Sequence, residues 1–340
     1  VVNPEFFNPE AQFSQPLKPE RRTFETYTLM NLLKKGIGIV GSTTIDKIIT
    51  DDHSFLKLGG VTTYAGITYR RHGIPVLIIS NMAERDLEVM DKLHAEDILV
   101  FSAKSDFSTY FVNYNRGGRR HQELLQQAAS IKIGQIQSII DRVDGLHLGP
   151  LHPLDIERGA LKFLLNSNLK IFLDVQGYAR KVKNKKVYRS VSVQMTSGLA
   201  LAHIAKANEA EYRAILAFYQ MTLAELMHYF KIEEFVVTLG DKGGFVQKQS
   251  GETFHYDAAL IKTPVDPTGA GDVFLAAYIA RRLGDREDIP DACFYAAEIA
   301  ARQVEGKYIP KGLLTLSENH EKFKHQNTNP RQIPTFFPYS

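Results

Sequence analysis

The sequence Asp266-Pro-Thr-Gly-Ala-Gly-Asp-Val-Phe-Leu-Ala-Ala-Tyr-Ile-Ala280 joins a turn of small residues to an apolar, alanine-rich segment. The helical period from Asp272 to Leu283 predicts a helix after the turn. Gly269, Ala270 and Gly271 are too small to shield the backbone, so the N–H groups that open this helix are expected to face solvent. The helix end carries about half a positive charge, which favours the binding of a phosphoryl group.

Asp272 stands at the open end of the predicted helix. A carboxylate there is poorly placed to bind phosphate, but it can accept a proton from an attacking hydroxyl group. Helix capping is the alternative role for this side chain. Capping accounts for one aspartate, but it leaves unexplained the three small residues and the Asp-Pro-Thr before them. The segment therefore favours phosphoryl transfer with Asp272 as general base.

The same segment resembles the C-terminal signature of the PfkB/ribokinase family of carbohydrate kinases, D-[PT]-T-G-A-G-D followed by small and apolar residues. Further family marks follow in the expected order, so the resemblance covers roughly residues 36–315. It implies that Gly269, Ala270 and Gly271 form an anion hole and that Asp272 is the catalytic base. It also implies ATP as the donor, Mg²⁺ as the accompanying ion, and direct in-line transfer to a hydroxyl group.

Short apolar runs alternate with helix-like segments along most of the chain. Apolar runs lie at 37–40, 76–79, 98–101, 171–173 and 235–239, and helical patterns lie at 62–72, 85–94, 156–165, 209–219 and 223–230. This alternation predicts a mostly parallel sheet covered on both faces. Together with the resemblance, it predicts an α/β fold of the ribokinase-like type, a three-layer sandwich with a small β lid.

The predicted lid comes from two stretches that interrupt this alternation. Residues 45–50 continue as strand-like sequence directly after the first core strand, and strand-like runs flank the turn Arg116-Gly-Gly-Arg119, which indicates a hairpin. We expect the lid to comprise about 43–60 and 105–125.

Polar segments with several prolines lie at both ends of the chain. Residues 1–35 show no clear period and are expected to form an N-terminal extension on the surface, and residues 326–340 are expected to form a similar tail. The kinase domain is therefore predicted to span 36–325.

Gly36, Gly38 and Gly41 spell G-x-G-x-x-G, the fingerprint of dinucleotide-binding folds. In such folds the glycines follow a strand and open a helix. Here they straddle the predicted strand itself, and Gly41 is followed by another strand-like run. A nicotinamide or flavin enzyme is therefore disfavoured.

Two further elements resemble the donor side of the family. Asn208-Glu-Ala-Glu211 resembles the N-x-x-E motif that organises Mg²⁺ and its water near the phosphates, with Glu211 acting through water. The same pattern is also a common helix cap. Thr238-Leu-Gly240-Asp-Lys-Gly243 follows a buried-type strand and resembles the nucleotide-binding turn, where glycines let the backbone approach the triphosphate.

The acceptor side of the family is matched nearer the N-terminus. Asp46 ends an element that resembles the first-strand segment whose aspartate holds acceptor hydroxyl groups. A surface strand residue is the alternative interpretation. Gly59 and Gly60, followed by a helical pattern, resemble the Gly-Gly element at the hinge of the lid.

The chain departs from the ribokinases at several acceptor positions. Tyr64 stands where ribokinases have the asparagine that reads ribose, and Val61 stands where they have a lysine. Ribokinases also offer a glutamate after a central strand, whereas the matching run His147-Leu-Gly-Pro-Leu151 contains no carboxylate. Because the polar groups of a sugar site match particular hydroxyl groups, these changes argue against ribose.

Asp174-Val-Gln-Gly-Tyr-Ala-Arg180 resembles the inositol-kinase-like branch more than ribokinases or fructokinases. This makes Gln176 and Arg180, together with Tyr64, candidate acceptor-binding residues, although a strand end and loop would explain the same segment. The basic run Arg180–Arg189 is expected to be a solvated loop.

Potassium-activated relatives bind the ion beside the anion hole. Asp266 and Thr268 match the family's Asp-x-Thr in half of that site, but Glu305-Gly-Lys-Tyr-Ile-Pro310 does not match the other half. Lys307 supplies no side-chain oxygen for a hard cation. We therefore expect activity without K⁺, with Lys307 supplying a positive charge in its place.

Composition and net charge limit the remaining functional classes of protein. The net charge of +3 in 340 residues gives no general attraction to nucleic acid or to anionic membranes, and one cysteine, Cys293, allows no intrachain disulfide. A cytoplasmic kinase is expected, with ATP and a polyol or sugar as partners and a homodimer through the lid. The alternatives are a nucleoside kinase and a catalytically silent binding or scaffold protein.

Overall fold

The structure is a computed structural model and describes residues 36–317 except 87, 117 and 118. Its strands are β1 (Gly36–Gly41), β2 (Thr44–Ile49), β3 (Ser54–Gly59), β4 (Val76–Ile79), β5 (Met82–Ala83), β6 (Leu99–Phe101), β7 (Lys104–Ser105), β8 (Thr109–Arg116), β9 (Arg119–Gln126), β10 (Val143–Gly149), β11 (Lys170–Asp174), β12 (Arg180–Lys183), β13 (Lys186–Arg189), β14 (Ile204–Asn208), β15 (Glu234–Thr238), β16 (Gly244–Lys248) and β17 (Thr253–Tyr256). Its α-helices are α1 (Val61–Arg71), α2 (Glu88–His94), α3 (Ile133–Gln137), α4 (Arg158–Leu164), α5 (Gln194–Leu199), α6 (Glu209–Tyr219), α7 (Leu223–Phe230), α8 (Ala270–Ile279), α9 (Ile289–Val304) and α10 (Lys311–Leu314).

The main sheet contains nine strands among the described residues, in the order β17-β16-β15-β14-β11-β10-β1-β4-β6. The seven strands from β15 to β6 run parallel, and β16 and β17 add an antiparallel edge. The central strands are buried along their length, as expected for parallel strands covered on both faces. The predicted ribokinase-like α/β fold is confirmed.

A second sheet is built from three hairpins that leave the main sheet at separate points in the chain. Its order among the described residues is β12-β13-β9-β8-β2-β3. Strand β2 pairs in parallel with β8, whereas the other neighbours are antiparallel. The β2–β3 hairpin falls within the predicted segment 43–60, and β8–β9 ends one residue beyond the predicted segment 105–125. That these hairpins act as a lid stays a prediction.

The basic run Arg180–Arg189 is not a solvated loop, because it forms the β12–β13 hairpin. Asn184 and Lys185 form its turn with φ angles of 49° and 65°, the left-handed region that two-residue hairpin turns require. The hairpin joins the second sheet where Lys186 pairs with Glu123. Lysine-rich sequence is a common feature of such edge strands, since charge discourages pairing with other chains.

The fingerprint glycines of β1 serve close packing. A Cβ atom on Gly36 would lie 2.1 Å from the Pro75 carbonyl oxygen, and one on Gly41 would lie 2.2 Å from the Gly149 carbonyl oxygen. The chain then enters β2, so no helix opens after Gly41. The dinucleotide interpretation therefore has no structural support in this region.

The helix after the small-residue turn is α8, which is buried from Val273 to Ile279 and continues as a π-helical segment over Ala280–Asp285. It packs between α1 and α9, and Cys293 on α9 is buried in the same core. Within the described residues, we find no helix that is both long and apolar enough to span a bilayer. The predicted segments 1–35 and 326–340 lie outside the described residues.

Candidate active site

The carboxyl ends of the parallel strands place several candidate residues at one edge of the main sheet. Asp174 ends β11, Asn208 ends β14 and Thr238 ends β15. Ligands bind at this edge in open α/β sheets, because the loops there surround a crevice. The N-terminus of α8 reaches the same edge, as the contacts of Gly271 show.

The anion-hole loop, Gly269 to Gly271, has a backbone that only small residues allow. Gly269 precedes α8 with φ 80°, and a Cβ atom on it would lie 2.3 Å from the ring of Tyr64. A Cβ atom on Gly271 would lie 2.7 Å from the Nζ atom of Lys206. The Ala270 N–H donates to the Pro267 carbonyl oxygen over 3.3 Å, so the N–H groups of Gly271 and Asp272 are the ones that can serve an anionic ligand beside the lysine ammonium.

Asp272 lies in the first turn of α8 and is only partly exposed. Burial, and then repulsion by Asp174, raise the pKa of Asp272 to about 7, although the nearby cations Lys206 and Arg180 oppose this rise. A carboxyl group with a pKa near neutrality can accept a proton and release it again at neutral pH. The predicted base therefore has the electrostatics of a proton acceptor.

Lys206 on β14 is a site residue that the sequence analysis missed. Its Nζ atom donates a hydrogen bond of 2.8 Å to Asp174 Oδ2, and both side chains are almost fully buried, with exposures of 6% and 0%. Burial disfavours the ammonium form, but attraction by Asp174, Asp272 and Glu211 outweighs it and raises the pKa of Lys206. The lysine therefore stays charged beside the anion hole.

Asn208 and Glu211 form a capping box at the start of α6. The Asn208 side chain accepts hydrogen bonds from the N–H groups of Ala210 and Glu211, and Glu211 Oε2 accepts one of 2.9 Å from the Asn208 N–H. Burial raises the pKa of Glu211. Asn208 and Glu211 therefore do cap the helix, and the cap uses only one carboxylate oxygen of Glu211. The other oxygen can contact another partner.

The described residues bring together no group of three His, Cys, Asp or Glu side chains that could hold a metal ion directly. Mg²⁺ commonly keeps several waters and uses one or two carboxylates together with substrate phosphates. Glu211, buried close to Asp174 and Lys206, fits that kind of contact through water.

Thr238, Gly240 and Gly243 form a turn at the end of β15. Gly240 and Gly243 have φ angles of 67° and 75°, and a Cβ atom on Gly243 would lie 2.0 Å from the Tyr256 carbonyl oxygen. A Cβ atom on Gly240 would meet nothing within 4 Å, so its backbone faces open space. The turn can therefore approach a ligand closely.

Asp46 lies in the second sheet, where it is 6% exposed. Its Oδ1 atom accepts a hydrogen bond of 2.7 Å from the Thr44 hydroxyl, and a Cβ atom on Gly59 would lie 2.5 Å from its Oδ2 atom. Gly60 has φ 91° and packs on the Ser42 carbonyl oxygen. The predicted carboxylate and hinge glycines thus lie together, close to the end of β1.

Two residues that replace ribokinase polar groups are buried against other parts of the site. Tyr64 is 1% exposed and its ring packs on Gly269. Val61 is fully buried, and a Cβ atom on Gly149 would lie 2.4 Å from its Cγ1 atom. The apolar Val61–Gly149 contact occupies two of the positions where ribokinases offer polar groups. A role for Tyr64 in acceptor binding remains a prediction.

The turn after β10 carries a buried carboxyl group, Asp155, that the sequence analysis did not consider. Asp155 is buried and its Oδ2 atom accepts hydrogen bonds from the N–H groups of Leu151 and His152. Burial raises the pKa of Asp155, while hydrogen bonds from the Leu151 N–H and the Ser42 side chain oppose the rise. A carboxyl group, that of Asp155, is therefore present near the end of β10, although the run His147–Leu151 contains none. It stabilises the turn by accepting hydrogen bonds from backbone N–H groups.

Gln176 and Arg180 flank this turn from the segment after β11. The Gln176 N–H donates to Asp174 Oδ1 over 2.9 Å, and the Arg180 guanidinium donates to the Leu151 carbonyl oxygen over 3.3 Å. Arg180 also lowers the pKa of Asp272 and of Glu211, although burial outweighs it at both carboxyl groups. The structure thus brings the Arg180 guanidinium into the neighbourhood of Asp272 and Glu211.

Asp266 begins the loop that leads to Gly269. Its Oδ1 atom accepts a hydrogen bond of 3.0 Å from the Thr268 N–H, and its Oδ2 atom accepts one of 2.5 Å from Lys57. Lys307 points elsewhere: its side chain is 62% exposed, and its ammonium lies 2.8 Å from Glu305 Oε2. The charge beside Asp266 therefore comes from Lys57, and the expectation for Lys307 is wrong.

The structure has the ribokinase-like fold. Residues 158–309 match the sequence profile of the pfkB family carbohydrate kinases. The family resemblance stated from the sequence is thereby confirmed. No curated protein sequence matches this chain significantly.

Solved structures share the fold at low sequence identity. A pyrophosphate-dependent kinase of the ribokinase family, complexed with a pyrophosphate analogue and myo-inositol, is 19% identical, with a TM-score of 0.69 over 79% of this chain and 95% of its own. Ribokinase from Thermotoga maritima is 18% identical, with a TM-score of 0.64 over 86% of this chain and 100% of its own. The nucleoside kinase from Methanocaldococcus jannaschii is 15% identical, with a TM-score of 0.64 over 82% and 98%.

Proposed function

We propose that the protein is a kinase that transfers the γ-phosphoryl group of ATP to a hydroxyl group of a cyclitol or related polyol. The observation that carries the proposal is the environment of Asp272. This carboxyl group lies in the first turn of α8, behind an open loop of small residues and close to the buried ammonium of Lys206.

Asp272 takes the proton of the acceptor hydroxyl as its oxygen attacks the terminal phosphorus, and the O–P bond to the leaving group breaks on the opposite side. The open N–H groups of α8 and the Lys206 ammonium face the phosphoryl oxygens, whose negative charge they stabilise. Asp174 holds Lys206 in place through its hydrogen bond of 2.8 Å. When bound, Mg²⁺ supplies further positive charge to the donor phosphates, with Glu211 contacting its waters.

A cyclitol acceptor is supported by the residues that differ from ribokinases. Val61 and Gly149 pack on each other where ribose-specific relatives have polar groups. Asp46, Gln176 and Arg180 remain as the polar groups of that side. The segment Asp174–Arg180 resembles the inositol-kinase-like branch, and two structural neighbours are described as acting on, or binding, myo-inositol.

ATP is the proposed donor, although three neighbours are described as pyrophosphate-dependent. The segment between β17 and Asp266 leads into the anion-hole loop and exposes apolar side chains: Leu260 is 96% exposed and Val265 46%. Apolar surface next to a phosphate site suits a nucleobase, which pyrophosphate lacks.

The test is a matrix of donors and acceptors. Purified protein with Mg²⁺ is given ATP, GTP or pyrophosphate, each with myo-inositol and its isomers, hexoses, pentoses and nucleosides, and phosphorylated product is measured by ³¹P NMR. Turnover of a cyclitol with ATP is expected. Turnover of nucleosides alone establishes the nucleoside-kinase alternative, and turnover with pyrophosphate alone overturns the proposed donor.

Asp272→Asn is the matched control for catalysis. The amide keeps the size of the side chain but cannot accept the proton, so kcat is expected to fall by about 10²-fold or more. Thermal unfolding shows whether the fold is kept. A wild-type protein that binds ATP but phosphorylates nothing in the matrix supports the silent binding protein instead.

A further inference from the structure

A partly buried ion pair between Lys57 and Asp266 joins the second sheet to the anion-hole loop. Lys57 lies on β3, and its side chain is 5% exposed, whereas that of Asp266 is 32% exposed. The Nζ–Oδ2 distance is 2.5 Å, and the two residues are 209 positions apart in the chain. Because Lys57 is buried and Asp266 only partly exposed, this pair is screened by water less than a surface pair.

Both partners of the pair contact the anion-hole loop. Asp266 Oδ1 accepts the Thr268 N–H over 3.0 Å, which fixes the turn immediately before Gly269. The Lys57 ammonium also lies 6.0 Å from the centre of the Tyr64 ring, and that ring packs on Gly269. The Lys57 ammonium therefore supports the anion-hole loop in two ways, through the Asp266 carboxylate and through the Tyr64 ring.

Lys57 also shares a face of the second sheet with the acceptor side of the site. Asp46 and Lys57 are directly opposite each other in the β2–β3 pair, so their side chains leave the same face of the sheet. The hairpin thus carries the predicted acceptor carboxylate and the loop-supporting ammonium at one level. The position of the β2–β3 hairpin therefore sets the distance between the Asp46 carboxylate and the anion-hole loop.

We propose that Lys57 is a positioning residue, which holds the anion-hole loop in its active geometry through Asp266. Its ammonium group supplies the positive charge that the Asp266 carboxylate requires. The inference rests on the proposed kinase function. It assigns to Lys57 no contact with either substrate, so substitution of Lys57 changes kcat and the donor parameters and leaves the acceptor KM unchanged.

Chemical rescue tests the proposal. Lys57→Ala removes the ammonium and leaves room for a small amine, and a displaced loop is expected to lower kcat by about 10- to 100-fold. Ethylammonium chloride is expected to raise the kcat of Lys57→Ala at least fivefold. Tetramethylammonium chloride at the same ionic strength is expected to leave it unchanged. Lys57→Met fills the space, so it is expected to lose activity without rescue.

Lys170→Ala is the control, because Lys170 also lies at a strand and pairs with a glutamate, Glu233, but both side chains are about half exposed. It is expected to keep the wild-type rate with or without amine. Wild-type kcat in Lys57→Ala overturns the proposal. So does a loss that ethylammonium does not relieve, or a rise in acceptor KM that matches the fall in kcat.

A second measurement needs no turnover and separates this proposal from the kinase function. Mg-ATP is expected to raise the melting temperature of the wild type and of Lys170→Ala by several degrees, and to raise that of Lys57→Met by less than half as much. An equal shift in Lys57→Met overturns the inference, even where the wild type is an active kinase. Absence of turnover in the wild type counts against the proposed function alone.

Discussion

Substitution of Lys206 by methionine is expected to move the pH dependence of catalysis to higher pH. Asp272 must be deprotonated to accept a proton, so the rate rises as the pH passes through the pKa of this carboxyl group. That pKa is about 7, and Lys206 is the first of the cations that hold it down. Loss of an opposite charge at close range raises a carboxyl pKa by about 1–3 units.

The size of the effect follows from these values. With a pKa of about 7, roughly half of the Asp272 side chains are ionised at pH 7, and a rise of about one unit leaves roughly one tenth ionised. The acid limb of kcat is therefore expected to move from near pH 7 to about pH 8 or above. Asp174→Asn removes the main repulsive charge, so its limb is expected to move in the opposite direction.

The assay is a discontinuous measurement of product from pH 5.5 to 9.5, so that no coupling enzyme adds its own pH dependence. Lys206→Met leaves the buried Asp174 without its partner, which can cost about 3–5 kcal/mol of stability. The double variant Lys206→Met/Asp174→Asn removes both charges and serves as the control for stability. Limbs that do not move, or that move in the same direction in both single variants, would show that Asp272 is not the titrating base.

Four further outcomes are expected. Asp46→Ala weakens acceptor binding by about tenfold or more and leaves ATP binding unchanged in calorimetric titrations, since losing a charged hydrogen bond costs about 1.5–3 kcal/mol; equal weakening of both would remove Asp46 from the acceptor site. Ribose is a poorer acceptor than a cyclitol by orders of magnitude in kcat/KM, because Val61 and Gly149 offer it no polar partner; ribose as the best acceptor contradicts this. Initial rates in Tris buffer are the same with KCl, NaCl or choline chloride, because Lys57 already neutralises Asp266; stimulation specific to K⁺ counts against it. Gly269→Ala lowers kcat by about 10²-fold, because its Cβ atom would lie 2.3 Å from the Tyr64 ring at φ 80°, and wild-type kinetics in this variant would exclude a tight loop.

The sequence predicts the main sheet well, because its signals are local. The strand over Val76–Ile79 and the helices over Glu209–Tyr219 and Leu223–Phe230 have the predicted bounds. The β12–β13 hairpin was missed because its lysines and arginines hide the alternation of a strand. Asn184 was the available signal, since asparagine tolerates the left-handed backbone of a hairpin turn.

The loop before α8 and Asp272 could be identified because one continuous segment carries both the backbone and the carboxyl group. Lys57 and Lys206 could not, because a lysine in a strand is usually a surface residue. Their partners are distant in the chain: Lys57 pairs with Asp266, and Lys206 with Asp174. Asp155 lies between the run His147–Leu151 and the helical pattern at 156–165, and no motif marks it.

The second sheet has a consequence for how the chain folds. Thr44 pairs with Thr109, and Lys186 pairs with Glu123. The hairpins of the second sheet therefore pair with strands that lie far away in the chain. Non-local pairing of this kind is slow, since the entropy of closing the intervening loops is lost before contacts are gained. During synthesis on the ribosome the sheet cannot be completed until Arg189 has emerged. The strands around Asp46, β2, β3 and β8, can therefore pair early, and the β12–β13 hairpin completes the sheet only later.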